Sequence, residues 1–212
     1  MFKNRQDAAI QLAHALSAYQ NQNPLVLAIP RGAVPMAKVI AQKLNGQMDV
    51  VLVHKLRAPF MPEVAIGAID AQGHCWTTTF AQDMGADAPY LQREKAIQWQ
   101  TLKHRVQQYN ALRKPVSPTD RTVIVVDDGL ATGSTMMAAL KSLRPQKPAQ
   151  LVCAVPVASA EALEVVSPLA DQVICLMVPK HFEGVGQFYE SFEPIDDRDV
   201  LQLLKANTEL KS

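Results

Sequence analysis

The sequence is short of several things whose absence narrows what it can be. It has three cysteines in 212 residues, Cys75, Cys153 and Cys175, widely spaced and without a C-x-x-C pair. That is the usage of reduced thiols in a cytoplasmic protein rather than of a disulfide framework or zinc site. No apolar run reaches the length of a membrane span. Residues 1–20, with Lys3, Arg5 and Asp7 among alternating apolar and polar positions, do not read as a signal peptide. Charge of one sign is missing too: 21 Lys and Arg stand against 20 Asp and Glu, a formal net charge of +1. So even a balance argues against a dedicated nucleic-acid binder, whose affinity comes from accumulated positive charge. It leaves room for one small, sharply placed anion site. Neither G-x-G-x-x-G nor G-x-x-x-x-G-K-[ST] is present, which removes support for dinucleotide and nucleoside triphosphatase readings.

What is there is a globular makeup, 48% hydrophobic and 19% charged, long enough to bury a sizeable core as one domain over residues 1–212. Ala9, Leu12, Ala13 and Leu16 recur at helical spacing. Leu25–Ile29 is a continuous apolar run suited to a buried parallel strand, followed by a helix over Val34–Leu44 that stops at Gly46 and a second strand over Asp49–Val53. Residues 56–89 break this rhythm with Pro59, Pro62, Gly67, Gly73, Gly85 and Pro89, and read as a loop at 57–63 with a hairpin beyond it. A long polar helix over about 90–112 precedes a resumed parallel pattern: strand Thr122–Val126, helix Ser134–Leu143, strand Leu151–Val155, helix Ser159–Val166 and strand Gln172–Val178. Asp196 or Asp197 is placed to cap a last helix through Leu204. The fold class is α/β, an open, mostly parallel twisted sheet of about five strands with helices on both faces, a β-rich insertion over 56–89 and a C-terminal tail over 180–212.

The chemistry concentrates in residues 123–136. Four β-branched residues, Val123 to Val126, enter two adjacent carboxylates, Asp127 and Asp128, and then a Gly- and hydroxyl-rich turn that opens a helix. A strand of this kind delivers its turn to the carboxyl edge of the sheet, where open α/β folds bind ligands. Gly133 lets backbone approach an anion, and the amides of Ala131 to Thr135 with the hydroxyls of Thr132, Ser134 and Thr135 can wrap a phosphate at the helix N-terminus. Two carboxylates beside a phosphate cradle repel each other and the phosphate unless a cation or sugar hydroxyls intervene. A ligand with a phosphate at one end and vicinal hydroxyls at the other suits the pair. The plain alternative is a strand–turn–helix junction whose Asp residues cap and whose Gly turns.

This segment resembles the type I phosphoribosyltransferases, in which four hydrophobic residues, two acidic ones and T-G-x-T bind 5-phosphoribosyl-1-pyrophosphate. The resemblance extends over the βαβ pattern at about 25–55 and 120–178, and IPRGAVP, KLRAP…PE…AIGAI and VGQFYESF are further landmarks. It implies that Asp127 and Asp128 contact the ribose hydroxyls and that Ala131, Thr132, Gly133, Ser134 and Thr135 hold the 5-phosphate. It implies a pyrophosphate loop at Pro30–Ala33, with the Arg31 side chain and the Gly32 and Ala33 amides as donors and a cis peptide near Pro30–Arg31. It places a mobile lid over 55–63, with Lys55 or Arg57 balancing pyrophosphate charge, Arg57 and Glu63 as candidate catalytic residues, and Glu63 as acceptor of a proton from an attacking amine. It makes residues 180–192 a hood, in which Phe182, Phe188 and Tyr189 pack onto the body or onto the second subunit of a homodimer. One stacking contact on the acceptor is assigned to Phe188. The cofactor implied is Mg2+, bound mainly through the donor, with Asp127 or Asp128 as the side chains that approach it. The partners implied are 5-phosphoribosyl-1-pyrophosphate and a nitrogenous acceptor. Hypoxanthine–guanine members carry Asp where this chain has Ala131, which disfavours a 6-oxopurine. The competing readings are a non-catalytic sensor of the donor or a nucleotide, and a hydrolase of a phosphorylated sugar or nucleotide. His54 ends a strand near the site, and His74 lacks further ligands for zinc.

Overall fold

The computed structural model describes residues 1–62, 64–112 and 114–209, with side chains to residue 205. Five parallel strands form the main sheet: β1 (Leu25–Ala28), β2 (Gln47–Val50), then, beyond the insertion, β6 (Thr122–Val126), β7 (Gln150–Val157) and β8 (Gln172–Met177), in the order β2-β1-β6-β7-β8. Between them the insertion forms a second, antiparallel sheet of β3 (Val53–Arg57), β4 (Ala65–Asp70) and β5 (Cys75–Thr77), in that order. The helices are α1 (Arg5–Ala15), α2 (Ala33–Leu44), α3 (Ala88–Asn110), α4 (Ser134–Leu143), α5 (Ala160–Val166) and α6 (Asp197–Glu209).

The central strands are apolar throughout because alternate residues go to opposite faces and both faces are covered. Val26, Ala28, Ile124, Val126, Val152 and Ala154 pack with α1, α2, α6 and the tail. Leu25, Leu27, Val123, Val125, Leu151, Cys153 and Val155 pack with α4 and α5 on the other side. A third cluster, around Leu56, Ile66, Ile69 and Leu102, joins α3 to the small sheet, and α4 also lies against β3 and β4. Local signals start the last two helices where the sequence placed them, although α6 runs on past the expected Leu204 to Glu209. Ser159 caps α5, accepting from the Ala162 amide at 3.0 Å. Asp196 caps α6, accepting from the Arg198 and Asp199 amides at 2.7 and 2.9 Å.

One boundary moves. The strand expected over 49–53 is instead β2 over Gln47–Val50, registered Leu25↔Gln47 to Ala28↔Val50, and Val53 already belongs to β3. The apolar run could not mark this break, because every residue in it finds cover: Val50 and Leu52 beside the first core, Val51 and Val53 beside the second. Lys55 therefore rides on a strand rather than on the loop. The loop of the β3–β4 hairpin is closed by the Ala58 amide donating to the Val64 carbonyl at 3.0 Å.

A polar chain fastens α3 to β3. Glu94 Oε1 accepts from the Arg57 amide and from Gln98 Nε2, both at 3.0 Å. Gln98 Oε1 lies 3.0 Å from His54 Nδ1, and His54 Nε2 lies 3.0 Å from Arg105 Nη1. A guanidinium only donates, so Nε2 accepts and the His54 proton sits on Nδ1, donated to Gln98. Burial, and the Arg105 and Arg57 charges after it, lower the His54 pKa, against the Gln98 hydrogen bond and the Asp197 charge that raise it. The unfolded chain then takes up a proton more readily than the folded one near the ordinary imidazole value of about 6.5. Stability is expected to be full above that pH and to fall as pH drops through it. In thermal melts across pH 5 to 8, His54→Gln should flatten that decline; an unchanged slope would show that His54 does not contribute to it.

Candidate active site

Strand β6 ends at Val126, and the chain then runs through Asp127 and Asp128 into the turn that opens α4. Gly133, the residue before the helix, has φ of +70°, a backbone region that glycine enters without steric cost. A Cβ there would also stand 3.0 Å from the Ala162 carbonyl, so the turn packs directly on α5. Ser159 adds a tie, its hydroxyl donating to the Ala131 carbonyl at 2.8 Å. Within the turn the Thr132 and Ser134 hydroxyls are 2.5 Å apart. The turn borders an open cavity of about 150 Å³, lined by residues 129–136 together with Asp127, Lys55 and Val185. Lys55 thus reaches the turn from the other sheet.

The two carboxylates have different surroundings. Asp127 lines the cavity, accepts from the Asp128 amide at 2.9 Å, and is held well above the ordinary carboxylate pKa by burial and then by the Asp128 charge, against the smaller pull of Lys55 and Arg5. Burial also lowers the Lys55 pKa, which Asp127 partly offsets. Asp128 turns to the N-terminal helix, where Arg5 Nε and Nη2 reach its Oδ2 at 2.9 and 2.8 Å. Burial raises its pKa, and the Arg5 charge and hydrogen bond oppose that rise. The Tyr189 hydroxyl donates to the Asp128 carbonyl at 2.7 Å, and burial, followed by the Asp128 charge, pushes the Tyr189 pKa up.

The loop after β1 lies alongside. The Pro30–Arg31 peptide is cis, Arg31 is exposed, and Gly32 and Ala33 begin α2. A Cβ on Gly32 would fall 2.0 Å from Asp128 Oδ2, so glycine here allows the loop and the acidic pair to touch. The structure therefore brings Lys55, Asp127 and residues 131–135 around one cavity, with Asp128 and Gly32 beside it. Arg57 is exposed, with its amide on Glu94 and its carbonyl on the Tyr90 hydroxyl, and it does not line the cavity. Glu63 lies outside the described residues. Phe188 packs on Phe182, ring centroids 5.3 Å apart, and the tail residue over the cavity is Val185, against which a Cβ on Gly129 would fall at 2.6 Å.

The model of the phosphoribosyl transferase domain family matches residues 2–193. The chain belongs to the phosphoribosyl transferase family. A protein of Mycobacterium tuberculosis, named provisionally as a phosphoribosyl transferase in two strains, is 34% identical over 205 residues. Those residues are 96% of this chain and 46% of the relative, so the chain spans about half the length of the curated relatives it matches. Among solved structures, TT1426 from Thermus thermophilus is 40% identical with a TM-score of 0.86, over 97% of this chain and 98% of that one. The AQ2163 protein from Aquifex aeolicus, 13% identical with a TM-score of 0.51 over 86% of this chain and 76% of that one, shares the fold.

Phosphoribosyl transferases commonly use Mg2+. Among the described residues no three His, Cys, Asp or Glu side chains group to hold a metal ion, and Asp128 is engaged by Arg5. The donor set fits a cation that would be carried mainly by ligand phosphates, with Asp127 as the carboxylate available to approach it.

Sequence reasoning missed Arg5, Tyr189 as a support of Asp128, and Val185. Arg5 had only its charge to mark it, far along the chain from its partner. Replacing Gly32 by alanine should displace the Asp128 carboxylate from Arg5 and cost about 1–3 kcal/mol in urea unfolding. Gly184→Ala, where a Cβ meets nothing within 4 Å, should stay within about 0.5 kcal/mol of the parent. Equal values for the two variants would contradict the contact.

Proposed function

We propose that the protein transfers a 5-phosphoribosyl group from 5-phosphoribosyl-1-pyrophosphate to a nitrogen nucleophile, a nucleobase or related amine, with Mg2+ and release of pyrophosphate. The observation that carries this reading is the single cavity in which an amide- and hydroxyl-lined turn, the Asp127 carboxylate and the Lys55 ammonium meet, in a chain of the phosphoribosyl transferase family.

The unreactive end of the donor is anchored first. The amides and hydroxyls of residues 131–135 take the 5-phosphate, helped by the N-terminal dipole of α4. Binding energy gathered there orients the anomeric carbon. Asp127 accepts a hydrogen bond from a ribose hydroxyl, a second donor beside the Asp128 amide for a buried carboxylate whose pKa is raised. Asp128, with Oδ2 on Arg5, meets the neighbouring hydroxyl through Oδ1. The Gly32 and Ala33 amides, Arg31 and Lys55 face the pyrophosphate. When bound, Mg2+ neutralises pyrophosphate charge and so improves it as a leaving group.

Bond breaking at the anomeric carbon runs ahead of attack, and the positive charge that develops on the sugar is favoured by the neighbouring carboxylates. No covalent enzyme intermediate is needed. Val185 and Ala131 wall the acceptor side with small apolar surface, which suits an acceptor recognised by shape and disfavours a 6-oxopurine that would look for a carboxylate at residue 131.

The test is donor-dependent pyrophosphate release across purines, pyrimidines and small amines. Asp127→Asn should lower kcat/KM about a hundredfold, and Lys55→Met should raise the donor KM about tenfold with a smaller change in kcat. Donor binding with no turnover on any acceptor would point to a sensor, and turnover without acceptor to a hydrolase. No donor binding in the presence of Mg2+, with Asp127→Asn indistinguishable from the parent, would overturn the reading.

A further inference from the structure

Helix α1 supplies a residue that the donor-binding motif does not account for. The Arg5 side chain is 12% exposed, and each of its guanidinium nitrogens is used. Nε and Nη2 converge on Asp128 Oδ2, and Nη1 donates to the Glu193 carbonyl at 2.7 Å. The flat face lies on Phe192, 3.8 Å from Cζ to the ring centroid. The tail contacts alone would staple α1 to the body. The ion pair does something else: it takes hold of the second carboxylate of the site at the point where that carboxylate touches Gly32.

We infer that Arg5 is a positioning residue for the donor, acting through Asp128, an inference that rests on the donor reading given above. Asp128 Oδ2 sits against the loop whose amides would hold pyrophosphate. A bare carboxylate there would occupy those amides as an internal anion and repel the incoming one. Arg5 cancels that charge and fixes the carboxylate in one orientation, as a guanidinium fork can. Asp127 lies beside Asp128 and shares the cavity lining with Lys55, and the Tyr189 hydroxyl fixes the Asp128 backbone. The pair would therefore meet a phosphorylated sugar with the Asp128 charge compensated and its carboxylate held in one orientation. The contribution is to binding and is present in ground and transition states alike, so it reads in donor affinity and donor KM more than in kcat.

The experiment is calorimetric titration of the protein with 5-phosphoribosyl-1-pyrophosphate and Mg2+, for the parent, Arg5→Gln, Arg5→Lys, Asp128→Asn and the double variant Arg5→Gln/Asp128→Asn, with melting temperature measured in parallel. Arg5→Gln should weaken donor binding about tenfold in the parent background and less than about threefold in the Asp128→Asn background. Arg5→Lys, which keeps the charge but not the fork, should lose less affinity than Arg5→Gln, and if Arg5→Gln does not fold it should itself weaken donor binding in the parent background and not in the Asp128→Asn background. An equal loss in both backgrounds, or a lysine variant as weak as the glutamine one, would reduce Arg5 to a staple and overturn the inference while leaving the donor reading intact. Failure of the parent itself to bind the donor would overturn both.

Discussion

Two carboxylates on adjacent residues at the end of a buried strand cannot both be left charged and unaccompanied. Unit charges about 4 Å apart interact with about 4 kcal/mol at an effective dielectric near 20, a large share of a domain's net stability. The architecture around Asp127 and Asp128 answers that constraint from two directions. Arg5 comes from the N-terminal helix on one face of the sheet and closes on Asp128. Lys55 comes from the antiparallel insertion and stands across the cavity from Asp127. The tail is drawn into the same arrangement, because Phe192 and the Glu193 carbonyl hold Arg5 and the Tyr189 hydroxyl holds the backbone of Asp128. The N-terminus, the insertion and the C-terminal segment thus meet at one pair of residues. A near-neutral chain arrives at this site by partition: Arg5, Lys55 and the amides of two loops gather around one pair of adjacent carboxylates.

This division gives the two acidic residues different work. Asp127 remains directed at the cavity with its pKa raised, a group whose charged form is stabilised by whatever donates a hydrogen bond to it. Asp128 is already paired, so its orientation is settled before a ligand arrives, which is how preorganised sites avoid reorganisation during reaction. The glycine at residue 32 belongs to the same device. Its missing side chain lets the loop after β1 and the loop after β6 come into contact at the carboxyl edge of neighbouring parallel strands, where folds of this class bind ligands.

Much of the fold was legible in the chain itself. The βαβ rhythm, the strand at 122–126 and the helix at 134–143 follow from local periodicity, from Gly133 and from caps such as Ser159 and Asp196, all within a few residues of the elements they delimit. The strand expected at 49–53 divided into β2 and β3 because burial was continuous across the break and gave hydropathy nothing to respond to. The insertion was legible as β-rich, yet its first strand, β3, which carries Lys55, was divided between the strand expected at 49–53 and the lid expected over 55–63. Phe188 shows the limit for aromatic residues: spacing marks them as packing surface and leaves open which of them faces a ligand, and here the residue over the cavity is the aliphatic Val185.

The sequence by itself determined the glycine- and hydroxyl-rich turn and the acidic pair, because strand, carboxylates, hydroxyls and glycine all lie between residues 123 and 136 and their geometry is set by neighbouring φ and ψ angles and hydrogen bonds. Only the tertiary structure decided which carboxylate faces the cavity and what neutralises the other. That answer depends on Arg5, Gly32, Lys55 and Tyr189, brought together from distant parts of the chain by burial of two sheet faces. Packing sets those distances, and no spacing within the sequence encodes them.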